Sequence, residues 1–174
     1  MKNSNYVRGR YSLLIAIIMG FVSGSVNAAI FMDIPGIPGE SNDVNHRDWI
    51  DVLATGGSFT QNSCGAFVVT KEIDKAFPLL VASVVSGSTF SESIRVEYTA
   101  NYGGSRATYS TITLDGASIT SISSSASGIS EAPPLEDITI EASSITIEYI
   151  QFDSEGNAGA TITETLVCGK SIKK

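Results

Sequence analysis

One histidine, two cysteines and a run of acids are the residues of this chain with chemistry to offer. His46 stands among Asp43, Asp48 and Asp51 in a sequence rich in serine, so the parts of a Ser-His-Asp hydrolase are present. Such a device works by converging geometry, and no Gly-x-Ser-x-Gly elbow marks a nucleophile here. His46 therefore reads as a structural or surface residue, and no catalytic residue is assigned. Glu40, Asp43, Asp48 and Asp51 could offer oxygen ligands to calcium but lack the Asp-x-Asp-x-Asp-Gly spacing of a calcium loop, so they read as a solvated acidic loop. Asp153, Glu155 and Asn157 read as turn residues. Two cysteines and one histidine are too few for a zinc site. No metal and no cofactor is expected.

Cys64 and Cys168 are the only cysteines, and the amino-terminal segment bears on their fate. Residues 1–11 hold Lys2, Arg8 and Arg10 with no acid, residues 13–22 are apolar, and the small residues that follow place Val26 and Ala28 at −3 and −1. That is the shape of a secretory signal cleaved before Ala29, and its apolar run is too short to serve as a stable membrane span. The expected mature chain, 29–174, enters an oxidising compartment where disulfides persist. Cys64 and Cys168 are expected to bond, either within one chain or between subunits. An internal bridge would stabilise the fold by up to roughly 4–5 kcal/mol on chain-entropy grounds.

Losing three of the 11 basic residues leaves eight against 18 acids, a net charge of −10. Nucleic acid is excluded as a partner, because phosphate binding depends on concentrated Lys and Arg. Only Lys170, Lys173 and Lys174 gather positive charge, in what reads as a frayed tail.

The elements that must position these residues are mostly strands. Residues 30–34 read as a first strand ending at Pro35-Gly36-Ile37-Pro38-Gly39, and residues 49–53 as a second that stops at Thr55-Gly56-Gly57. Trp49 reads as core or as a subunit contact. Residues 58–65, carrying Cys64, read as turn-rich, and residues 67–73 as a strand with Phe67, Val69 and Ile73 on one parity. The one helix candidate spans 78–86, with Pro78 at its start, Leu80 and Val84 four apart, and Gly87 as its left-handed cap. From there the period is two: Ile94, Val96 and Tyr98 on one strand, then Ile112 and Leu114, with Ile119 and Ile122 bracketing a stretch rich in Ser and Thr. Residues 118–130 read as exposed strand and loop. Ile138 and Ile140 are on even positions and Ile145, Ile147 and Tyr149 on odd ones, so a β-bulge or short turn is expected near Ser143-Ser144. A turn at 153–157 and a last strand over 161–167 complete a single domain. The expected fold is mainly β, an antiparallel β-barrel of two packed sheets with some eight strands and one short flanking helix.

Three segments in this order carry a likeness: Ile34-Pro-Gly-Ile-Pro-Gly-Glu-Ser41, His46-Arg-Asp-Trp-Ile-Asp-Val-Leu53, and Thr70-Lys-Glu-Ile-Asp-Lys-Ala-Phe-Pro-Leu-Leu80 before the helix. Together they resemble the haemolysin-coregulated protein (Hcp) family, which forms the inner tube of the type VI secretion system. The likeness continues through Ile119-Thr-Ser-Ile-Ser123, Pro134-Leu-Glu-Asp137 and Ile145-Thr-Ile-Glu-Tyr149, across nearly all of 29–174. It implies hexameric rings that stack into a hollow tube, no enzymatic activity, and partners that are copies of the chain and perhaps a small protein cargo. It also implies assembly contacts at Gly39, Glu40, Ser41, Trp49, Ser63 and Gly65.

Members serving the secretion machine are made in the cytoplasm, whereas the signal directs this chain to the periplasm or beyond. The expected role is an exported structural protein that builds rings and a hollow tube or extracellular filament. The alternative is a secreted effector or carrier of small cargo that keeps the barrel and does not polymerise.

Overall fold

The computed structural model describes residues 28–61, 63–126, 128 and 133–168. All of the expected signal segment except Ala28, several positions of the serine-rich loop and the lysine tail lie outside them.

The alternating hydrophobic pattern becomes two antiparallel sheets. The first has six strands in the order β10-β9-β6-β5-β1-β2, the second four in the order β3-β4-β8-β7. In chain order these are β1 (Ala29–Asp33), β2 (Ile50–Val52), β3 (Ala54–Thr60), β4 (Ser63–Glu72), α1 (Phe77–Ser86), β5 (Ile94–Tyr102), β6 (Ser105–Asp115), β7 (Ser118–Ser125), β8 (Leu135–Glu141), β9 (Ser144–Phe152) and β10 (Ala158–Val167). The core lies between the sheets. Met32, Ile50, Ile94, Val96, Leu114 and Ile145 face it from one side, Phe67, Val69, Ile119, Ile138 and Ile140 from the other. Each such side chain stabilises the fold by about 1.5–3 kcal/mol through removal from water. The mainly β fold, its packed sheets and its short helix are as the sequence leads one to expect.

The helix begins one residue before the expected start and carries Pro in its first turn, where the missing N–H costs nothing. No side chain caps its N-terminus; the Asp74 carboxylate accepts the Ala76 N–H at 2.9 Å just upstream. Gly87, at φ 63°, donates its N–H to the Ser83 and Val84 carbonyls and ends the helix. Leu80 anchors it in the core, and its strand neighbour is β7.

Two expectations need correction. The second strand ends at Val52, but Thr55-Gly56-Gly57 are not a turn: after Leu53 the chain passes into the other sheet, and those residues lie inside β3. Residues 58–60 and 63–65, read as turn-rich, are strand as well, the ends of the β3–β4 ladder where Thr60 pairs with Ser63. Glycine reads as a strand breaker, yet β3 is an edge strand with one neighbour, β4, and a register shift beside Gly57 absorbs the irregularity. This strand, on residues read as a stop and a turn, is part of why ten strands are seen among the described residues.

The change of parity near Ser143-Ser144 is a short turn. It carries the chain from β8 in one sheet to β9 in the other, and the Ser143 N–H donates to the Asp115 carbonyl at 2.8 Å. The shift from Ile119 to Ile122 has the other cause, a register irregularity in β7 between Ile119 and Ser121.

Candidate assembly surface

The loop between β1 and β2 is held by its own backbone. The Gly39 N–H donates to Asp48 O at 2.7 Å, Ser41 N–H to Trp49 O at 3.0 Å, and Asp48 N–H to Ser41 O at 3.0 Å. Gly39 is there because no side chain fits: a Cβ would lie 2.5 Å from Ile50 Cα and closer still to the Trp49 carbonyl oxygen. Gly39 and Ser41 are therefore buried in internal bonding, while Glu40 is exposed and its Oε1 accepts the Lys75 N–H at 3.1 Å. Trp49 is half-buried, with the Arg95 guanidinium 5.2 Å from its ring. Ser63 is exposed at the start of β4. Gly65 is half-buried in the same strand, and a Cβ there would strike Ser58 across the hairpin. The six residues thus fall into two groups, one in the first loop and one on the β3–β4 hairpin, and three of them serve internal packing.

His46 belongs to the same loop and is buried, its ring stacked on Phe31 with centroids 4.1 Å apart. Nδ1 lies 2.7 Å from Asp43 Oδ1 and Nε2 3.0 Å from Glu97 Oε2. Ionised carboxylates only accept, so both bonds form when both ring nitrogens carry protons. Neither nitrogen is left to activate a hydroxyl. Arg106 donates to Asp43 Oδ2 at 2.6 Å, and Arg95 and Thr108 donate to Glu97. The acids expected as free loop charges are in this way partly committed: Asp43 to His46 and Arg106, Asp48 to Lys75 at 3.2 Å. Among the described residues no three His, Cys, Asp or Glu side chains gather to hold a metal ion. Asp153 accepts the N–H groups of Glu155 and Asn157, both at 2.9 Å, as the turn reading expects.

These contacts set a dependence on acidity. Burial alone would raise the Asp43 carboxyl, but hydrogen bonds from His46 and the Asn45 amide, with the charges of His46 and Arg106, outweigh it and hold the group below its ordinary 3.8. Burial likewise opposes ionisation of Glu97, and hydrogen bonds from His46, Arg95 and Thr108 with the charge of Arg95 hold it below 4.5. A carboxylate depressed in the folded state stabilises it above the unfolded pKa and loses that contribution as pH falls through the folded value. Urea midpoints should therefore fall from just above pH 4.5 downward. Asp43→Asn, which cannot titrate, should flatten that fall; an unchanged slope would refute the assignment.

Cys64 and Cys168 form one disulfide within the chain, with Cα atoms 5.1 Å apart, and no free cysteine remains. The pairing left open by the sequence is thus closed internally, joining the start of β4 in one sheet to the end of β10 beside the other. No thiol is left to bond between subunits.

A buried ionic cluster at Lys71 is missed by the sequence reading, and the parity Lys71 shares with Phe67 and Val69 is the signal that could have found it. Lys71 is 0% exposed, and its Nζ donates to Glu136 Oε1 at 2.6 Å, Asp74 Oδ1 at 2.7 Å and the Glu72 carbonyl at 2.6 Å. Glu136 is buried too, and its Oε2 finds no hydrogen-bond partner among the described residues.

The open surfaces are sheet edges. All ten residues of β10 are exposed, including Ile162 at 63% and Val167 at 81%, and β10 has one ladder partner, β9. Edge strands of proteins that stay apart usually carry charges, prolines or covers. Here β10 carries only Glu164, while β3 and β7 carry no charge.

Among curated proteins none matches the sequence. Solved structures do. Hcp1 from Salmonella typhimurium is 27% identical over 80% of this chain and 94% of its own, with a TM-score of 0.71. A type VI secretion system effector from Yersinia pestis is 27% identical over 79% and 98%, with a TM-score of 0.67. Hcp2 from Salmonella typhimurium is 26% identical over 80% and 94%, with a TM-score of 0.64. The family model described as "Type VI secretion system effector, Hcp" matches residues 31–149, more than half of the sequence and most of both sheets. By that match the chain belongs to the Hcp family of type VI secretion system proteins.

Proposed function

We propose that this protein is an exported structural subunit that assembles into Hcp-like hexameric rings, and that the rings stack into a hollow tube or extracellular filament. The observation that carries the reading is β10, a fully exposed edge strand with apolar side chains and one charge, on a chain of a tube-forming family. Export is supported by the signal-like sequence, by β1 beginning at Ala29 where cleavage is expected, and by the internal disulfide, which suits a periplasmic or extracellular setting. The protein acts by forming a conduit and performs no catalysis. Glu40, Ser63 and the exposed part of Trp49 are the contacts of the proposed set with surface to offer a neighbour.

The second reading is a secreted carrier or effector that stays a ring or a monomer. A polar groove on the outer face of the six-stranded sheet, lined by Arg95, Glu97, Thr108, Thr111, Thr146 and Glu148, gives such a carrier a surface for small cargo.

Negative-stain electron microscopy of chain 29–174, purified oxidised, separates the two. Hollow filaments or stacked rings are the expected result. Isolated rings or monomers at high concentration would sink the filament and leave the carrier.

A further inference from the structure

We infer that the Cys64–Cys168 disulfide is a redox latch that keeps β10 seated for docking a second copy of the chain. The inference rests on the reading of β10 as an assembly edge. It comes from an imbalance in how β10 is held.

None of the buried core residues comes from β10; they belong to the other elements and their connections. The noncovalent hold on β10 is its ladder with β9, helped by the Thr146–Thr165 hydroxyl pair at 3.0 Å and weakened by a register shift between Ala158 and Thr161. An edge strand that gives no residue to the core is among the elements that open locally at low cost. The end of β10 is secured differently. The Cys168 N–H donates to Ser143 O at 2.8 Å, and the sulfur bonds to Cys64 in the opposite sheet, with both cysteines packed against the core. The covalent bond therefore fixes the strand where burial does not.

Opening the latch needs two molecules of a small thiol. The first, as thiolate, attacks one sulfur, forms a mixed disulfide and displaces the other cysteine as a thiolate. The second displaces the first cysteine, and the small thiols leave as their own disulfide. The protein gains two electrons and two protons and ends with thiols at Cys64 and Cys168. β10 can then leave β9 without exposing a core residue of its own, taking the docking edge with it. In an oxidising compartment the strand stays seated and competent; under reducing conditions the subunit keeps its body and loses its edge.

Amide hydrogen exchange, read by mass spectrometry with electron microscopy alongside, tests this on the oxidised protein, the same protein held in a small thiol, and Cys64→Ser/Cys168→Ser. Losing the cross-link weakens the whole chain somewhat, so the informative quantity is β10 relative to β5. Without the bond, residues 158–167 should exchange at least about tenfold faster while β5 and β6 change far less, as expected of local opening, and assemblies should shorten or disperse. Unchanged protection of β10 overturns the latch. An equal rise in all strands also overturns it, because the bond would then be a staple for the whole fold. Oxidised protein that never assembles defeats the tube reading instead, and β10 exchange then decides the latch on its own. Where the double serine variant does not fold, the reduced natural protein carries the comparison.

Discussion

Lys71→Met should lose about 3–5 kcal/mol of folding stability, the usual result of stranding a buried charge by removing its partner. Lys71 and Glu136 are both fully buried and meet at 2.6 Å. With the ammonium gone, the Glu136 carboxyl loses the Nζ donor on Oε1 in an apolar interior, and its Oε2 already finds no partner among the described residues. Asp74 would also lose a donor, though it keeps the Ala76 N–H at the entry to α1. The companion variant is Lys71→Met/Glu136→Met, which replaces the ion pair by apolar side chains and should recover most of the loss, since such exchanges are often neutral. Urea denaturation of both decides the matter. A single variant within about 0.5 kcal/mol of the natural protein would put Lys71 in the class of ordinary surface changes and refute its structural role.

Gly39→Ala should cost about 2–4 kcal/mol, more than the usual surface substitution, because its new methyl meets backbone and not a movable side chain. The Cβ would lie 2.5 Å from Ile50 Cα in β2. Relief requires the loop to back away, which gives up the Gly39–Asp48 and Ser41–Trp49 hydrogen bonds. At about 2–4 °C per kcal/mol for a domain of this size, the melting temperature should drop by roughly 5–15 °C. A drop under about 2 °C would show that the loop yields easily and that Gly39 is not required for packing. Glu40, whose carboxylate meets the Lys75 amide from this loop, would shift with it, so a folded Gly39→Ala protein should also assemble less readily.

The strands that could be read from the sequence are those where burial alternates cleanly. Ile94 and Val96, or Ile138 and Ile140, are core residues spaced by solvent-facing ones, and period two is sufficient. Helix α1 is legible from its punctuation, Pro78 and Gly87, despite three valines and two serines of weak propensity. β3 was hidden because Gly56 and Gly57 look like a stop, and only tertiary pairing with β4 makes them a strand. Lys71 is not legible as core because a charged residue on a core parity looks like a break in the pattern. Its partner Glu136 lies 65 residues away in sequence, and pairing at that distance is set by topology. His46 could be read as structural from the missing catalytic signature, whereas Glu97, which completes its surroundings, comes from a strand 51 residues later. The proposed contacts divided for a similar reason. Motif residues such as Gly39 and Gly65 look like surface turns until the backbone that crosses them is seen.

The bond between positions 64 and 168 also has a mechanical meaning. In the proposed extracellular filament, tension entering a subunit near Ala29 and leaving near Cys168 would pass through the sulfur bridge, bypassing the backbone between its two ends. The slack available is the chain from 29 to 64, which at full stretch reaches about 120 Å. Six of the ten strands among the described residues, from β5 to β10, and the helix lie wholly inside the closed loop, so an overstretched subunit could lengthen only by that leash.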